Sequence, residues 1–350
     1  MEAEPRTATI RNYPPELEAE KKVDFAPVVN PTPRALSQEQ IAQYNEHGFI
    51  PQIQGVYSEA EVVAHREFYD RALEECRRRG HDENAINGYH SKLRTIYELA
   101  TDPRLLAIVD DLMGGESFSC VMTNYLCKLP HSDKYVPWHQ DAVYWPFRTS
   151  RIVQIYLAID DQDEENGAMK MIQGSHKLGK LEWHDTQSDL NDAEGLSRSS
   201  WLWQQIDDAE QYGSVFSNNL RAGELSVFTD MTAHHSTPNR SDRRRCSLIL
   251  RYVPVSVRAF ELPDREGDVY KGWNANSIWV KGCDPSGHWA NPPPPTEDDF
   301  DTLGPLMAES VEEDGLDVVY EKRFKEGDSA QNQKKRGGIN GGRAGRRPKM

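Results

Sequence analysis

Five stretches between residues 118 and 255 limit the folds open to this chain more than any other feature. FSCVMTNYLCKL (118–129), RIVQIYLAID (151–160), GAMKMI (167–172), GELSVFTD (223–230) and CSLILRYVPV (246–255) are short, rich in β-branched and aromatic residues, and separated by Gly, Pro, Asn or Asp. Parallel strands would need long crossovers between them, and no helix-spaced pattern lies between most of these segments. The predicted fold class is mainly β with flanking α, an antiparallel barrel or jelly roll rather than a parallel α/β sheet.

The helices belong to the N-terminal third. LSQEQIAQYNEHGFI opens with Ser37 followed three residues later by Gln40, an N-cap signature, and the helix should stop at Gly48. A second, amphipathic helix is predicted from Ser58 to about Arg79, and a third from about Lys92 to Leu112, ending at Gly114-Gly115. Residues 1–36, polar and Pro-rich, read as an extended arm with little structure of its own. The domain is expected over 37–296, helical over 37–115 and β over 116–296, with a polar, Trp-bearing insertion at 180–222 that is long enough to act as a lid. Residues 297–350 read as a disordered tail: 297–317 carries nine acidic residues and no basic one, while 334–350 carries seven Lys/Arg and no acid.

Charge and cysteine usage exclude several classes. A formal net charge of −15 argues against nucleic-acid binding by the folded domain. No window approaches the roughly 18 consecutive apolar residues of a membrane span. The N-terminus shows no apolar signal-peptide core, and the terminal Pro-Lys-Met is not a clear peroxisomal signal. The five Cys are odd in number and lack a C-x-x-C pair. A reduced, cytoplasmic protein without membrane attachment is the expectation, with its oligomeric state open.

The chemistry concentrates in PWHQD (137–141). On an extended segment, His139 and Asp141 project to one face, where an imidazole nitrogen and a carboxylate oxygen make two thirds of a facial triad for non-haem Fe(II). H-x-D alone is a common pairing. The third ligand is read at His234, just beyond a strand in AGELSVFTDMTAHHSTPNRSDRRRCSLILRYV (222–253). Eleven residues on, Arg245 offers the planar donor fork that suits the distal carboxylate of 2-oxoglutarate, and Ser236 adds a hydroxyl.

Taken together, PWHQDAVYWPFRTSRIVQIYLAIDDQDEENGAMKMIQGSHKLG and the later AGELSVFTD…LRYVP resemble the phytanoyl-CoA dioxygenase family of Fe(II)/2-oxoglutarate oxygenases, from about Leu36 to Pro295. The resemblance implies a double-stranded β-helix of the cupin-like, jelly-roll kind with N-terminal helices. It implies His139, Asp141 and His234 as metal and catalytic residues, Arg245 with Ser236 on 2-oxoglutarate, and O2 as the second cosubstrate. Tyr156 stands where the family commonly has Trp beside the cosubstrate, and Asn124 is expected to face the same pocket. The family's H-G-S-G-P-N is His234-His235-Ser236-Thr237-Pro238-Asn239 here, so His235 occupies a small-residue position and competes with His234 for the ligand role.

The activity implied is hydroxylation of an unactivated C–H bond in a small or medium-sized metabolite, with release of succinate and CO2. Asp141 disfavours a halogenase, because a halide would need the carboxylate's place. Lys128, Arg148, Trp145 and His90 are candidate substrate residues, each with a structural alternative in core packing, hydrogen bonding or a surface ion pair. The rivals are an acyl-CoA 2-hydroxylase, a non-catalytic metal-binding or regulatory protein on the same fold, and a Zn or Mn cupin-like enzyme, in which Arg245 and Ser236 have no obvious task.

Overall fold

The computed structural model describes residues 20–81, 83, 85–185, 204–260 and 276–303. The described residues form four α-helices, all in the N-terminal third: α1 (Gln38–His47), α2 (Glu59–Arg78), α3 (Arg94–Ala100) and α4 (Pro103–Met113). Ser37 and Gln40 form a reciprocal capping box on α1, and Gly48 ends it in the left-handed conformation. Ser58 and Glu61 cap α2 in the same way. The third predicted helix is instead two. Pro103 has no N–H to donate and disfavours helical backbone at Asp102, so α3 stops. The Asp102 carboxylate then caps α4 by accepting from Arg104 N at 2.8 Å.

Among the described residues there are twelve strands, one between α1 and α2 and the rest after α4: β1 (Phe49–Ile53), β2 (Phe118–Lys128), β3 (Val136–His139), β4 (Val153–Ala158), β5 (Met169–Ile172), β6 (His184–Asp185), β7 (Gln204–Gln205), β8 (Val215–Ser217), β9 (Leu225–Thr229), β10 (His234–Ser236), β11 (Arg245–Pro254) and β12 (Ile278–Lys281). They pair antiparallel into a major sheet, β1-β9-β4-β11-β2-β12, and a minor sheet, β3-β10-β5-β8, with β6-β7 as a separate ribbon. This is the predicted jelly roll. All five β-rich stretches are strands within a residue or two of their expected bounds, while β1, β8 and β12 carry too little pattern to be seen in advance.

Side-chain alternation sorts the major sheet into two faces. Arg245, Ser247, Ile249 and Arg251 share one face of β11, opposite Lys128, Leu126, Asn124 and Met122 on β2. Tyr156 and Gln154 on β4 lie beside Ile249 and Arg251 in the same rows. Phe49, Tyr156, Met169, Met171, Phe228 and Ile249 pack together between the sheets as a core. The other face of the major sheet is covered by helices: Tyr69 of α2 stacks on Tyr125 at 4.8 Å, and the Tyr252 hydroxyl donates to Ala100 O at 3.1 Å.

Three further expectations change. The arm is not free over residues 20–36: Val28 N donates to Asn45 Oδ1 at 2.7 Å, and the backbone amides of Arg34, Ala35 and Leu36 donate to the Asp111 carboxylate. The folded chain runs past 297, because Asp298 accepts from the Thr95 amide at 2.8 Å and Leu303 is buried. The second half of the 180–222 insertion supplies β7, a 3-10 turn at Ala209–Tyr212 and β8. Residues 186–203, with Trp201 and Trp203, and the charged tail beyond 303 lie outside the described residues. All five cysteines are free thiols, four of them buried.

Candidate active site

His139 is the last residue of β3 and sits directly opposite His234, the first residue of β10. The expectation that His139 and Asp141 share one strand does not hold. The strand ends at His139, and Asp141 opens a 3-10 turn, Asp141–Val143, closed by Tyr144 N donating to Asp141 O at 2.9 Å. Convergence survives because Gln140 fastens the turn from beneath. Its amide nitrogen donates to Gly179 O at 2.9 Å and to Met231 O at 2.7 Å, and its amide oxygen accepts from Leu181 N at 2.9 Å. His234 lies just beyond β9, as expected, on the short strand β10, antiparallel to β3.

Both imidazoles are oriented from behind by main-chain carbonyls. His139 Nδ1 lies 2.8 Å from Pro137 O, and His234 Nδ1 lies 2.9 Å from Thr232 O. An Nδ1–H donated outward leaves each Nε2 lone pair for the interior. Thr232 is itself placed by its hydroxyl donating to Gly48 O at 2.9 Å. Gly48 has φ +87°, and a Cβ there would lie 2.5 Å from the Thr232 hydroxyl, so the contact requires glycine.

The result is a buried cluster in which one donor atom each from His139, Asp141 and His234 lie within 4.8 Å of one another. His139 Nε2 is 3.4 Å from Asp141 Oδ1. Burial pushes the His234 imidazole down to about 4, helped by neighbouring His139, so it is a neutral donor at physiological pH. Burial alone would raise the Asp141 carboxyl, but the Arg251 guanidinium and His139 outweigh it and hold it well below the usual range. Phe228 meets the His234 ring edge-on at 5.2 Å, closing the site from the major sheet. His235 points the other way, stacked on Trp138 at 3.9 Å. Geometry therefore separates the two adjacent histidines.

Arg251 is the residue that sequence reading missed. Its Nη2 lies 3.3 Å from Asp141 Oδ2, its Nη1 donates to Asn124 Oδ1, and its guanidinium lies 5.2 Å from the Trp145 ring centre. One signal was available: Arg251 stands six residues after Arg245, so the two cations share a face of one strand. Gln140 was equally hidden, since a residue between two ligands looks like a spacer.

The other expected residues divide. Arg245 is buried in the barrel, its guanidinium 5.9 Å from the Tyr156 ring centre, and its Nε has no hydrogen-bond partner among the described residues. Opposite it, Lys128 Nζ donates to Ser236 Oγ at 2.7 Å and to Ser236 O at 3.2 Å. Burial, then Arg245, push the Lys128 ammonium well below its ordinary value. The Tyr156 hydroxyl donates to Gln162 at 2.7 Å. Asn124 faces the interior but is engaged by Arg251 and Asn87, and Trp145 reaches the cluster through Arg251. Two residues are not brought in. Arg148 pairs with Glu20 at 3.0 Å on the half-exposed surface. His90 meets Thr123 at 3.3 Å, on the face of β2 turned away from Asn124 and the interior.

A jelly roll with a buried His-x-Asp…His cluster and a buried arginine is the arrangement of non-haem Fe(II), 2-oxoglutarate-dependent oxygenases. The chain belongs to the phytanoyl-CoA dioxygenase (PhyH) family, whose model matches residues 44–247, more than half of its length. Among curated relatives it is 32% identical over 128 residues to a probable alpha-ketoglutarate-dependent hypophosphite dioxygenase of Stutzerimonas stutzeri, covering 37% of this chain and 43% of that protein. It is 26% identical over 189 residues to L-proline trans-4-hydroxylase of Streptomyces griseoviridis, covering 49% of this chain and 68% of the relative. The match to the first of these thus spans less than half of that protein. Among solved structures, EctD from S. alaskensis with 2-oxoglutarate and 5-hydroxyectoine superposes with a TM-score of 0.55 at 17% identity, over 69% of this chain and 85% of that one. The non-haem monooxygenase ThoJ does so with a TM-score of 0.54 at 21% identity, over 83% and 98%. These structural likenesses speak for the fold.

Proposed function

We propose that the protein is an Fe(II)- and 2-oxoglutarate-dependent dioxygenase that hydroxylates an unactivated C–H bond of a small or medium-sized metabolite. The observation that carries this reading is the pairing, inside one barrel, of a three-donor cluster with a buried arginine whose Nε is unpaired. The donor set fits the metal: two imidazoles with Nε2 turned inward and one carboxylate are the chemistry of an open Fe(II) site. When bound, iron with 2-oxoglutarate and O2 supplies the oxidising power, and 2-oxoglutarate leaves as succinate and CO2.

The chain's residues do the holding. His139, Asp141 and His234 would hold the metal through one donor atom each. Arg245 receives the distal carboxylate of 2-oxoglutarate through its planar fork, with Ser236 adding a hydroxyl and Tyr156 a wall. Lys128 keeps Ser236 in place. Phe228, Met171 and Ile249 line the interior with apolar surface and exclude water. Access on the β2 side is supported by Met122, Asn124 and Leu126, which are half-buried while the inner faces of β4 and β9 are fully buried. The hydroxylases and dioxygenases among the relatives support the same reaction class.

Substrate-dependent succinate release tests the proposal. Release is expected from the wild-type protein with Fe(II), 2-oxoglutarate, O2 and a substrate found by oxygen-uptake screening. Release that persists unchanged in the Asp141→Ala variant would refute it.

A further inference from the structure

One row of the major sheet carries polar groups to which the proposed function gives no task. Arg251 on β11 stands opposite Gln154 on β4, and Gln154 stands opposite Phe228 on β9. All three face the interior, and side chains directly opposite in neighbouring strands have Cβ atoms about 5 Å apart. Arg251 Nη2 lies 3.3 Å from Asp141 Oδ2, and the Phe228 ring meets His234 at 5.2 Å. Gln154 therefore sits between two side chains that each touch a member of the His139, Asp141 and His234 cluster.

Gln154 is fully buried, and neither its amide oxygen nor its amide nitrogen has a hydrogen-bond partner among the described residues. Arg251 commits Nη1 to Asn124 and Nη2 to Asp141, but its buried Nε is likewise unpartnered among those residues. A buried amide with neither end met is costly. Two such groups side by side in one row point to a polar ligand that completes them.

The donors indicate the ligand's charge. A guanidinium N–H beside a carboxamide N–H suits a carboxylate. The strand indicates which one. Arg245 and Arg251 share the interior face of β11, and both lean toward the row of Ile249. Arg251 reaches Asn124, the β2 partner of Ile249, while the Arg245 guanidinium lies 5.9 Å from the ring centre of Tyr156, its β4 partner. A small dicarboxylate with one end on Arg245 would direct its other end along this lane toward Arg251, Gln154 and the metal cluster.

We propose that Gln154, with the Nε edge of Arg251, binds the metal-side carboxylate of 2-oxoglutarate, the end opposite the one assigned to Arg245. This inference deepens the function proposed above and rests on it. Its test is calorimetric titration of the full chain loaded with Mn(II), as wild type, Gln154→Met and Arg245→Leu. The probes are 2-oxoglutarate, 2-oxopentanoate, which lacks the distal carboxylate, and 4-oxopentanoate, which carries a methyl group in place of the metal-side one. Gln154→Met should weaken 2-oxoglutarate and 2-oxopentanoate about 10- to 100-fold, as expected for a lost hydrogen bond to a charged group, and leave 4-oxopentanoate within about twofold. Arg245→Leu should do the reverse, sparing 2-oxopentanoate. Without metal or probe, Gln154→Met should melt no lower than wild type, because it removes an unmet buried amide.

A Gln154→Met protein that binds all three probes like wild type would overturn the inference, as would equal weakening of all three. A variant that fails to fold, or melts well below wild type, would make Gln154 a structural residue and overturn it too. A wild type that binds no 2-oxoglutarate would defeat the proposed function and this inference with it. Wild-type binding of 2-oxoglutarate that does not depend on Gln154 would defeat this inference alone.

Discussion

The wall that carries the metal-ligand cluster is made of strands three or four residues long, β3, β5, β8 and β10. The facing wall includes β2 and β11, of eleven and ten residues. Short strands end at the cluster, so His139 closes β3, Asp141 opens a turn and His234 begins the neighbouring β10. Each is then fixed by a specific hydrogen bond to a main-chain carbonyl or by the Gln140 anchor. The long wall works by register. Two arginines six residues apart are held at a set separation by the ladder itself, Arg251 beside Asp141 and Arg245 beside Tyr156. The first wall carries the residues proposed as ligands, the second carries charge.

The largest effect that could break this division is loss of a ligand from the short-strand wall. His139→Ala, Asp141→Ala or His234→Ala should each reduce substrate-dependent succinate release to background, well beyond the roughly 10–100-fold typical of residues that orient ligands. On the long wall, Arg245→Leu should raise the KM for 2-oxoglutarate at least ~30-fold, since truncating one partner of a buried charged pair costs about 2 kcal/mol or more. Steady-state kinetics with varied 2-oxoglutarate check this, and an unchanged KM would place the cosubstrate elsewhere.

Arg251→Met probes the contact between the walls. It leaves Asp141 as a buried carboxylate without its cation, so the metal-free protein should lose about 3 kcal/mol of stability. Because a divalent metal takes up the same carboxylate charge, the rise in Tm on adding Fe(II) or Mn(II) should be larger in the variant than in the wild type. Equal rises would separate Arg251 from the metal site.

A smaller effect concerns pH. Burial pushes His90 and His176 down to about 4 from an ordinary 6.5, so both are neutral in the folded protein. As pH falls through 6.5 the unfolded chain takes up these protons first, and stability declines from there down to about 4. Thermal melts between pH 7 and 4 on the metal-free protein check the direction. The smallest effect is expected for His235→Gln, which should leave Fe(II) affinity within about twofold of wild type, because His235 stacks on Trp138 outside the cluster.

The same contrast explains what could be read from the residues alone. The long strands announce themselves because ten alternating residues make a pattern, and the α1 and α2 caps are local chemistry that few surroundings override. The cluster of His139, Asp141 and His234 was legible through H-x-D and the late histidine, although the strand-to-turn step at Asp141 was not. Three- and four-residue strands such as β8 and β12 hold too few residues to show periodicity. The α3–α4 break turned on Pro103 within a run of apolar residues that otherwise suits a helix. Arg251 gains its role from a partner more than a hundred residues away, which no spacing rule reveals. No helix among the described residues is long and apolar enough to cross a membrane.

The central claim is that His139, Asp141 and His234 hold iron while Arg245 holds 2-oxoglutarate in the same barrel. The most direct measurement is the absorption of the anaerobic protein on adding Fe(II) and then 2-oxoglutarate. A chelate charge-transfer band is predicted in the wild type, absent in each ligand-to-Ala variant, and needing much more 2-oxoglutarate in Arg245→Leu. A wild-type protein that shows no band, or a band that survives in Asp141→Ala and His234→Ala, would contradict the account.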